Sequence, residues 1–284
     1  MPSNPGNNMK DTEFRALVSL LDDDDPGVES HVSGKLLAMG ESVIPRLEAI
    51  WEESPGELVQ EKIEDIIHTI QSRKTLLKLK EWFMEEEPDL LQGWILVTQF
   101  QYPELDVVQI KQDISRLVHK TWLELKTGMN IPERLIVLNK MIFSKEKFRA
   151  NKKDLLNRNN YFLNNFLETK KGAPISLCLL YMIIASELEI MLKGILLPGY
   201  FVLNYKDKFN EFFVDVFNRG TFFVKDDLKR FLKEMNEEDN PKYYQSNTNQ
   251  EILRGLMKII LKSFKQSGEE EKVQEWENLL KSIR

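Results

Sequence analysis

The chain reads as an α+β protein: a mostly helical N-terminal half, a central helix on a small antiparallel sheet, and a C-terminal helical hairpin. Three observations predict this. Ile175–Leu188 is a run of fourteen largely apolar residues, apolar on nearly every face over Ile175–Ala185, as a fully buried helix must be. Four short runs follow it, Lys193–Leu197, Phe201–Tyr205, Glu211–Val216 and Thr221–Val224, rich in Val, Phe, Tyr and Ile and separated by polar connections. Elsewhere the apolar residues recur at helical spacing. At about 1.5 Å per residue the central run is too short to span a bilayer, so it is a core helix. Pro174 suits its first position, where a missing N–H costs no hydrogen bond.

Taken in order, residues 1–10 are Asn-, Pro- and Gly-rich and are expected to form a disordered tail. Residues 11–73 carry four apolar faces at helical spacing: Phe14, Leu17, Val18 and Leu21; Val28, Val32, Leu36 and Leu37; Val43, Ile44, Leu47 and Ile50; Ile63, Ile66, Ile67 and Ile70. Breaks fall at Asp24–Gly27, Met39-Gly40 and Ser54–Gly56. The order of these features resembles a HEAT-type helical repeat, too short for a free solenoid and expected to cap its neighbour. Asp22–Asp25 lacks the alternating spacing of a calcium loop, and helix-end capping accounts for these acids. No metal site is expected.

Residues 74–235 form the expected main domain. Lys74–Glu87 and Asp89–Gln101 read as two helices divided at Pro88, Leu105–Lys126 as a longer one, and Arg134–Phe143 as the next. Trp82, Trp94 and Trp122 are spaced for burial rather than as an exposed stacking row. Lys145–Lys153 is a local basic run whose simplest role is a solvated loop; its phosphate-binding alternative predicts salt-sensitive retention on heparin. Residues 236–284 open with a polar linker and end in two helices, Gln250–Ser267 and Glu269–Ser282, about Gly268. This pair resembles the tetratricopeptide-like tail of related chains, with a simple closing hairpin as the equal alternative.

The totals narrow the function. A net charge of −6 and a pI near 5.4 give no global basic field, so nucleic acid is not the expected partner. One cysteine, Cys178, excludes an intramolecular disulfide and suits a reducing cytoplasm. The N-terminus lacks an apolar signal segment, and no stretch reaches the roughly 20 apolar residues of a membrane span. A cytoplasmic protein with no membrane contact is expected. There is no P-loop or dinucleotide fingerprint and no zinc-ligand spacing, so no cofactor is expected.

Four ordered blocks carry a resemblance: Asn160–Asn164, Gly172–Leu177 (GAPISL), Pro198–Phe201 (PGYF) and Phe213–Gly220 (FVDVFNRG). They resemble the SirB-type branch of the transglutaminase-like superfamily, whose blocks read N-S-x-L-N, G-x-P-I-S-L, P-G-H-F and F-x-D-P-F-x-x-G. The motif residues carried over are Asn160, Gly172, Pro174, Ser176, Gly199, Phe201, Asp215 and Gly220. The resemblance implies a papain-like core in which active members use a Cys–His–Asp triad. The thiolate sits at a helix start, a strand histidine is the base, and the aspartate fixes the tautomer.

Carried over position by position, the cysteine corresponds to Pro174, the histidine to Tyr200 and the aspartate to Asp215. Two of the three lack the required chemistry. The three histidines, His31, His68 and His119, all precede this module. Outside the triad positions, Cys178 lies one turn beyond Pro174 but among apolar neighbours, which favours a buried structural thiol. Ser176 has no local base, and a backbone bond is its favoured role. Tyr200 and Asp215 are expected to hydrogen-bond across adjacent strands, removing the acid–base switch. The resulting expectation is a transglutaminase-like protein without catalysis that binds a protein or peptide, in the cleft around Pro174, Tyr200 and Asp215. The rival is a hydrolase or acyl transferase rewired through Cys178 or Ser176.

Overall fold

The computed structural model of the chain describes residues 9–53, 56–234, 236–237 and 240–283. Residues 1–8 of the expected tail, and Ser54 and Pro55 of the third expected break, lie outside the described residues. The chain divides into two compact units, one running to Lys78 and including Gln99–Pro103, the other comprising Leu79–Thr98 with Glu104–Arg284.

The first unit is helical: α1 (Asp11–Ser19), α2 (Pro26–Met39), α3 (Ile44–Glu53) and most of α4 (Glu57–Met84). The four apolar faces meet in one core, where Phe14, Val18, Leu36, Leu47, Ile63 and Ile70 are buried together. The aspartate run turns the chain into α2. Asp23 Oδ1 accepts from the Asp25 backbone N–H at 2.9 Å, and Asp25 Oδ1 accepts from Gly27 N–H at 2.8 Å with Pro26 opening the helix. One expectation is corrected. The helix expected to begin afresh at Lys74 is the continuation of α4, because no Gly or Pro interrupts the chain from Glu57 to Met84.

The second unit follows with most of α5 (Leu90–Gln101), then α6 (Val107–Trp122), α7 (Ile131–Asn139), β1 (Arg149–Ala150), α8 (Leu163–Thr169), β2 (Lys171–Gly172) and α9 (Pro174–Glu187). Then come β3 (Leu192–Leu197), β4 (Tyr200–Lys206), β5 (Glu211–Asp215), β6 (Thr221–Phe223), α10 (Lys225–Glu234), α11 (Asn249–Ser267) and α12 (Glu270–Ser282). The last four strands form the antiparallel sheet in order β3-β4-β5-β6, with Leu192 opposite Tyr205, Leu203 opposite Val214 and Phe213 opposite Phe223. Every residue of α9 from Ile175 to Ala185 is buried, and the helix packs on β3 and β4. Its C-terminal end meets a cation, since the Arg134 guanidinium donates to Leu188 O. The fold is therefore α+β and mostly helical.

Trp122 departs from expectation: it is 61% exposed, while Trp82 and Trp94 are buried. The inward face of α6 is the narrower stripe Ile110, Ile114, Leu117 and Thr121. Trp122 stands one residue, about 100°, past it. At the C-terminus, Thr248 and Glu251 form a capping box on α11 and Gly268 ends it at φ +75°. Trp276 of α12 is buried with its ring 6.0 Å from both Phe162 and Phe264, so the hairpin belongs to the core of this unit. Among the described residues no helix is long and apolar enough to cross a membrane.

Candidate functional site

Two turns bring the site together. Pro198-Gly199 joins β3 to β4 in two residues, Gly199 at φ +68°, and so sets Tyr200 at the start of β4. After β5 the chain folds back on itself, with Gly220 N–H donating to Asp215 O at 2.9 Å and Gly220 at φ +74°. Tyr200 then lies diagonally across from Asp215 on one face of the sheet. Its hydroxyl stands 3.0 Å from Asp215 Oδ1 and 3.2 Å from Oδ2.

The carboxylate has further donors. Asn218 gives its backbone N–H to Oδ1 at 3.1 Å and its amide Nδ2 to Oδ2 at 2.7 Å, and the same amide lies 3.3 Å from Tyr200 Oη. Phe217 and Phe231 enclose the Tyr200 ring, at centroid distances of 5.9 and 5.2 Å. Burial pushes the Tyr200 phenol well above the ordinary tyrosine range, and the Asp215 charge and hydrogen bond push it further. The group is a neutral donor fixed to an acceptor, and at neutral pH it neither takes nor releases a proton.

Cys178 lies behind this pair. Its thiol is fully buried and donates toward Phe201 O at 3.5 Å, while the Val216 backbone N–H also reaches it. Phe201 and Val216 are the chain neighbours of Tyr200 and Asp215. Burial raises the thiol far above its usual value and the Asp215 charge adds to this, outweighing the Val216 N–H. Pro174 is half-buried at the first position of α9, one turn ahead. Ser176 is buried with its hydroxyl donated to Asn160 O.

The remaining motif residues shape the backbone. Asn160 is buried and donates through Nδ2 to Asp154 O at 2.7 Å while accepting from Asn151 Nδ2 at 2.8 Å, which folds the 151–160 loop against β2 and α9. Gly172 admits the Phe166 ring, 2.5 Å from where a Cβ would stand. None of the three histidines belongs to this group. His31 and His68 lie in the first unit, and His119 is exposed on α6, stacked at 6.2 Å on Trp122. Among the described residues no cluster of His, Cys, Asp and Glu is arranged to hold a metal ion.

Sequence reasoning missed one connection. Asn139, the last residue of α7, donates to Gly220 O at 2.9 Å and accepts from the buried Tyr181 hydroxyl at 2.8 Å. This ties α7, α9 and the turn beneath Asp215 together. The positive φ that an F-x-D-x-F-x-x-G block demands of its last glycine was a signal for the turn, but no local signal names Asn139.

The comparisons agree with the geometry. The family model of the transglutaminase-like superfamily matches residues 108–258. Human (Homo sapiens) F-box only protein 21 is 28% identical over 188 residues, covering 55% of this chain and 30% of that protein. A UPF0162 protein of Xylella fastidiosa strain 9a5c is 25% identical over 149 residues, 52% of this chain and 53% of its own. The chain thus spans about half or less of the length of these relatives. No solved structure matches. The matched residues are just over half of the chain and include α9, the four-stranded sheet and the Tyr200–Asp215 pair, and the chain belongs to the transglutaminase-like superfamily.

Proposed function

We propose that the chain is a SirB-type, non-catalytic transglutaminase-like protein that works by binding a protein or peptide. One observation carries the reading: the residue at the base position of P-G-H-F is Tyr200, and its phenol is tied to both oxygens of Asp215. A tyrosine titrates near ~10, and this one higher, so it cannot serve as a base near neutrality. Two further features support it. The helix start offers the ring of Pro174, and the sulfur one turn on is sealed in the core with its proton held. The rewired alternatives are disfavoured for the same reason, as neither Cys178 nor Ser176 has a base, and the Ser176 hydroxyl is committed to Asn160 O.

The test combines reactivity with turnover. Folded protein is treated with iodoacetamide at neutral pH and screened against amide, ester and thioester substrates. Cys178 should resist alkylation until denaturant is added, and no substrate should turn over above the Cys178→Ala and Ser176→Ala backgrounds. Rapid native-state alkylation, or turnover that either substitution abolishes, would overturn the reading.

A further inference from the structure

At the C-terminal end of α9, away from Tyr200 and Asp215, a cavity of about 500 Å³ opens between the 85–89 turn, the start of β3 and the start of α11. Its floor is apolar, formed by Leu90, Met182, Ile183 and Leu192, and Met191, 66% exposed, stands at its mouth. Its rim is acidic: Glu86, Glu87, Asp89 and Glu187 line it against Lys193. Among the described residues, none of these four carboxylates is held in an ion pair, and Asp89 Oδ1 caps α5 by accepting from the Gln92 backbone N–H at 2.6 Å.

The rim is also pre-formed. Gln250 Nε2 donates to Glu85 O at 2.7 Å, Asn249 Nδ2 to Pro88 O at 2.9 Å and Trp82 Nε1 to Asp89 O at 2.7 Å. The acidic side chains therefore project from backbone fixed on both sides, and a ligand would not bear the cost of ordering it. An apolar floor under Glu86, Glu87 and Glu187, which have no ion-pair partner among the described residues, selects an occupant carrying both an apolar group and positive charge.

We infer that this groove docks a basic polypeptide segment, with an apolar side chain of the segment on the Met182–Ile183 floor and its Lys or Arg side chains against Glu86, Glu87, Asp89 and Glu187. The inference rests on the reading of the chain as a partner-binding protein and gives that reading a surface and a chemistry.

Fluorescence anisotropy with a short fluorescein-labelled peptide of lysine and leucine tests it, beside two control peptides, one with glycine for leucine and one with glutamate for lysine. The lysine–leucine peptide should bind saturably and the controls should not. Glu86→Lys with Glu87→Lys should weaken binding by about tenfold or more, and Met191→Asp should also weaken it. A matched reversal, Glu270→Lys with Glu271→Lys, lies beyond the far end of the 19-residue α11, on the order of 28 Å from the groove, and should leave binding unchanged. Absence of saturable binding overturns the groove, as does equal weakening by the distant reversal or equal binding of the glycine peptide. Cys178 reactivity and substrate turnover are separate readouts, so the groove can fail while the non-catalytic reading stands, and the reverse.

Discussion

Asn139 and Gly220 are locked together across 81 positions of sequence: Asn139 Nδ2 donates to Gly220 O at 2.9 Å, and a Cβ on Gly220 would stand 1.9 Å from Asn139 Oδ1. Gly220 is also at φ +74°, where a side chain is strained in any surroundings. Gly220→Ala should therefore destabilise the second unit by roughly 2–4 kcal/mol, seen as a lower urea midpoint at unchanged slope. Adding Asn139→Ala to that variant relieves the clash but keeps the dihedral strain and removes the bonds to Gly220 O and the Tyr181 hydroxyl, so the double variant should stay well below the unsubstituted protein in stability. Full stability in the single variant would mean that the turn does not hold this geometry.

Alkaline titration should report the Tyr200–Asp215 pair. Tyr161, Tyr181 and Tyr200 are all raised above the ordinary tyrosine range, with burial the first cause in each. A raised folded-state value means that these phenols contribute stability that is present below the unfolded value of about 10 and is lost as pH rises beyond it. In an absorbance titration of the seven tyrosines, these three should ionise later than the rest or together with unfolding. Tyr200→Phe should lower stability at pH 7 by about 1 kcal/mol and shrink the alkaline loss. An unchanged alkaline profile would show that Tyr200 ionises freely.

The β4–β5 hairpin has an acid-sensitive tip. Asp207 Oδ1 accepts the backbone N–H groups of Phe209 and Asn210 at 2.7 Å each, and Oδ2 accepts the Tyr205 hydroxyl at 2.8 Å. These bonds, the Phe209 N–H first, draw the carboxyl down to about 2. Its contribution is therefore present above the ordinary value near ~3.9 and lost as pH falls through about 2. The protection of the Phe209 and Asn210 amides, their exchange relative to the intrinsic rate at each pH, should be lost over that window, and Asp207→Ala should lack it at pH 7. Equal protection of these two amides in the two proteins at pH 7 would detach the tip's order from this carboxylate.

Trp276 tests whether the C-terminal hairpin is structural to the second unit. Its ring is buried against Phe162 and Phe264, so Trp276→Ala should cost roughly 3–5 kcal/mol and lower the unfolding midpoint of the sheet as well as of α12. Hydrogen exchange in β3 and β4 would reveal it. Loss of protection confined to α11 and α12 would make the hairpin a separately melting element.

Much of this was legible in the residues, and the parts that were not share a cause. The core helix and the strands show in the sequence because burial dictates composition locally: an all-apolar run for α9, short runs rich in Val, Phe, Tyr and Ile for the sheet. The Tyr200–Asp215 bond was readable from two motif positions on neighbouring strands. The capping role of the Asp22–Asp25 run was readable from its place before Pro26. The continuity of α4 through Lys74 shows only in the lack of a breaker, since no Gly or Pro stands between Glu57 and Met84. Trp122 is exposed despite a spacing that suits burial, because Ile110, Ile114, Leu117 and Thr121 already fill the inward stripe of α6. Asn139 stayed hidden because its partner lies far along the chain, and side-chain periodicity carries no information at that range.

The sealed position of Cys178 makes it a built-in clock. As this sequence holds no other sulfhydryl, the slow modification of that one atom counts how often the interior opens, and its rate under fixed reagent measures the free energy of the opening. A cysteine introduced at any surface position would be the first to react, giving an address for a dye or spin label against a silent background.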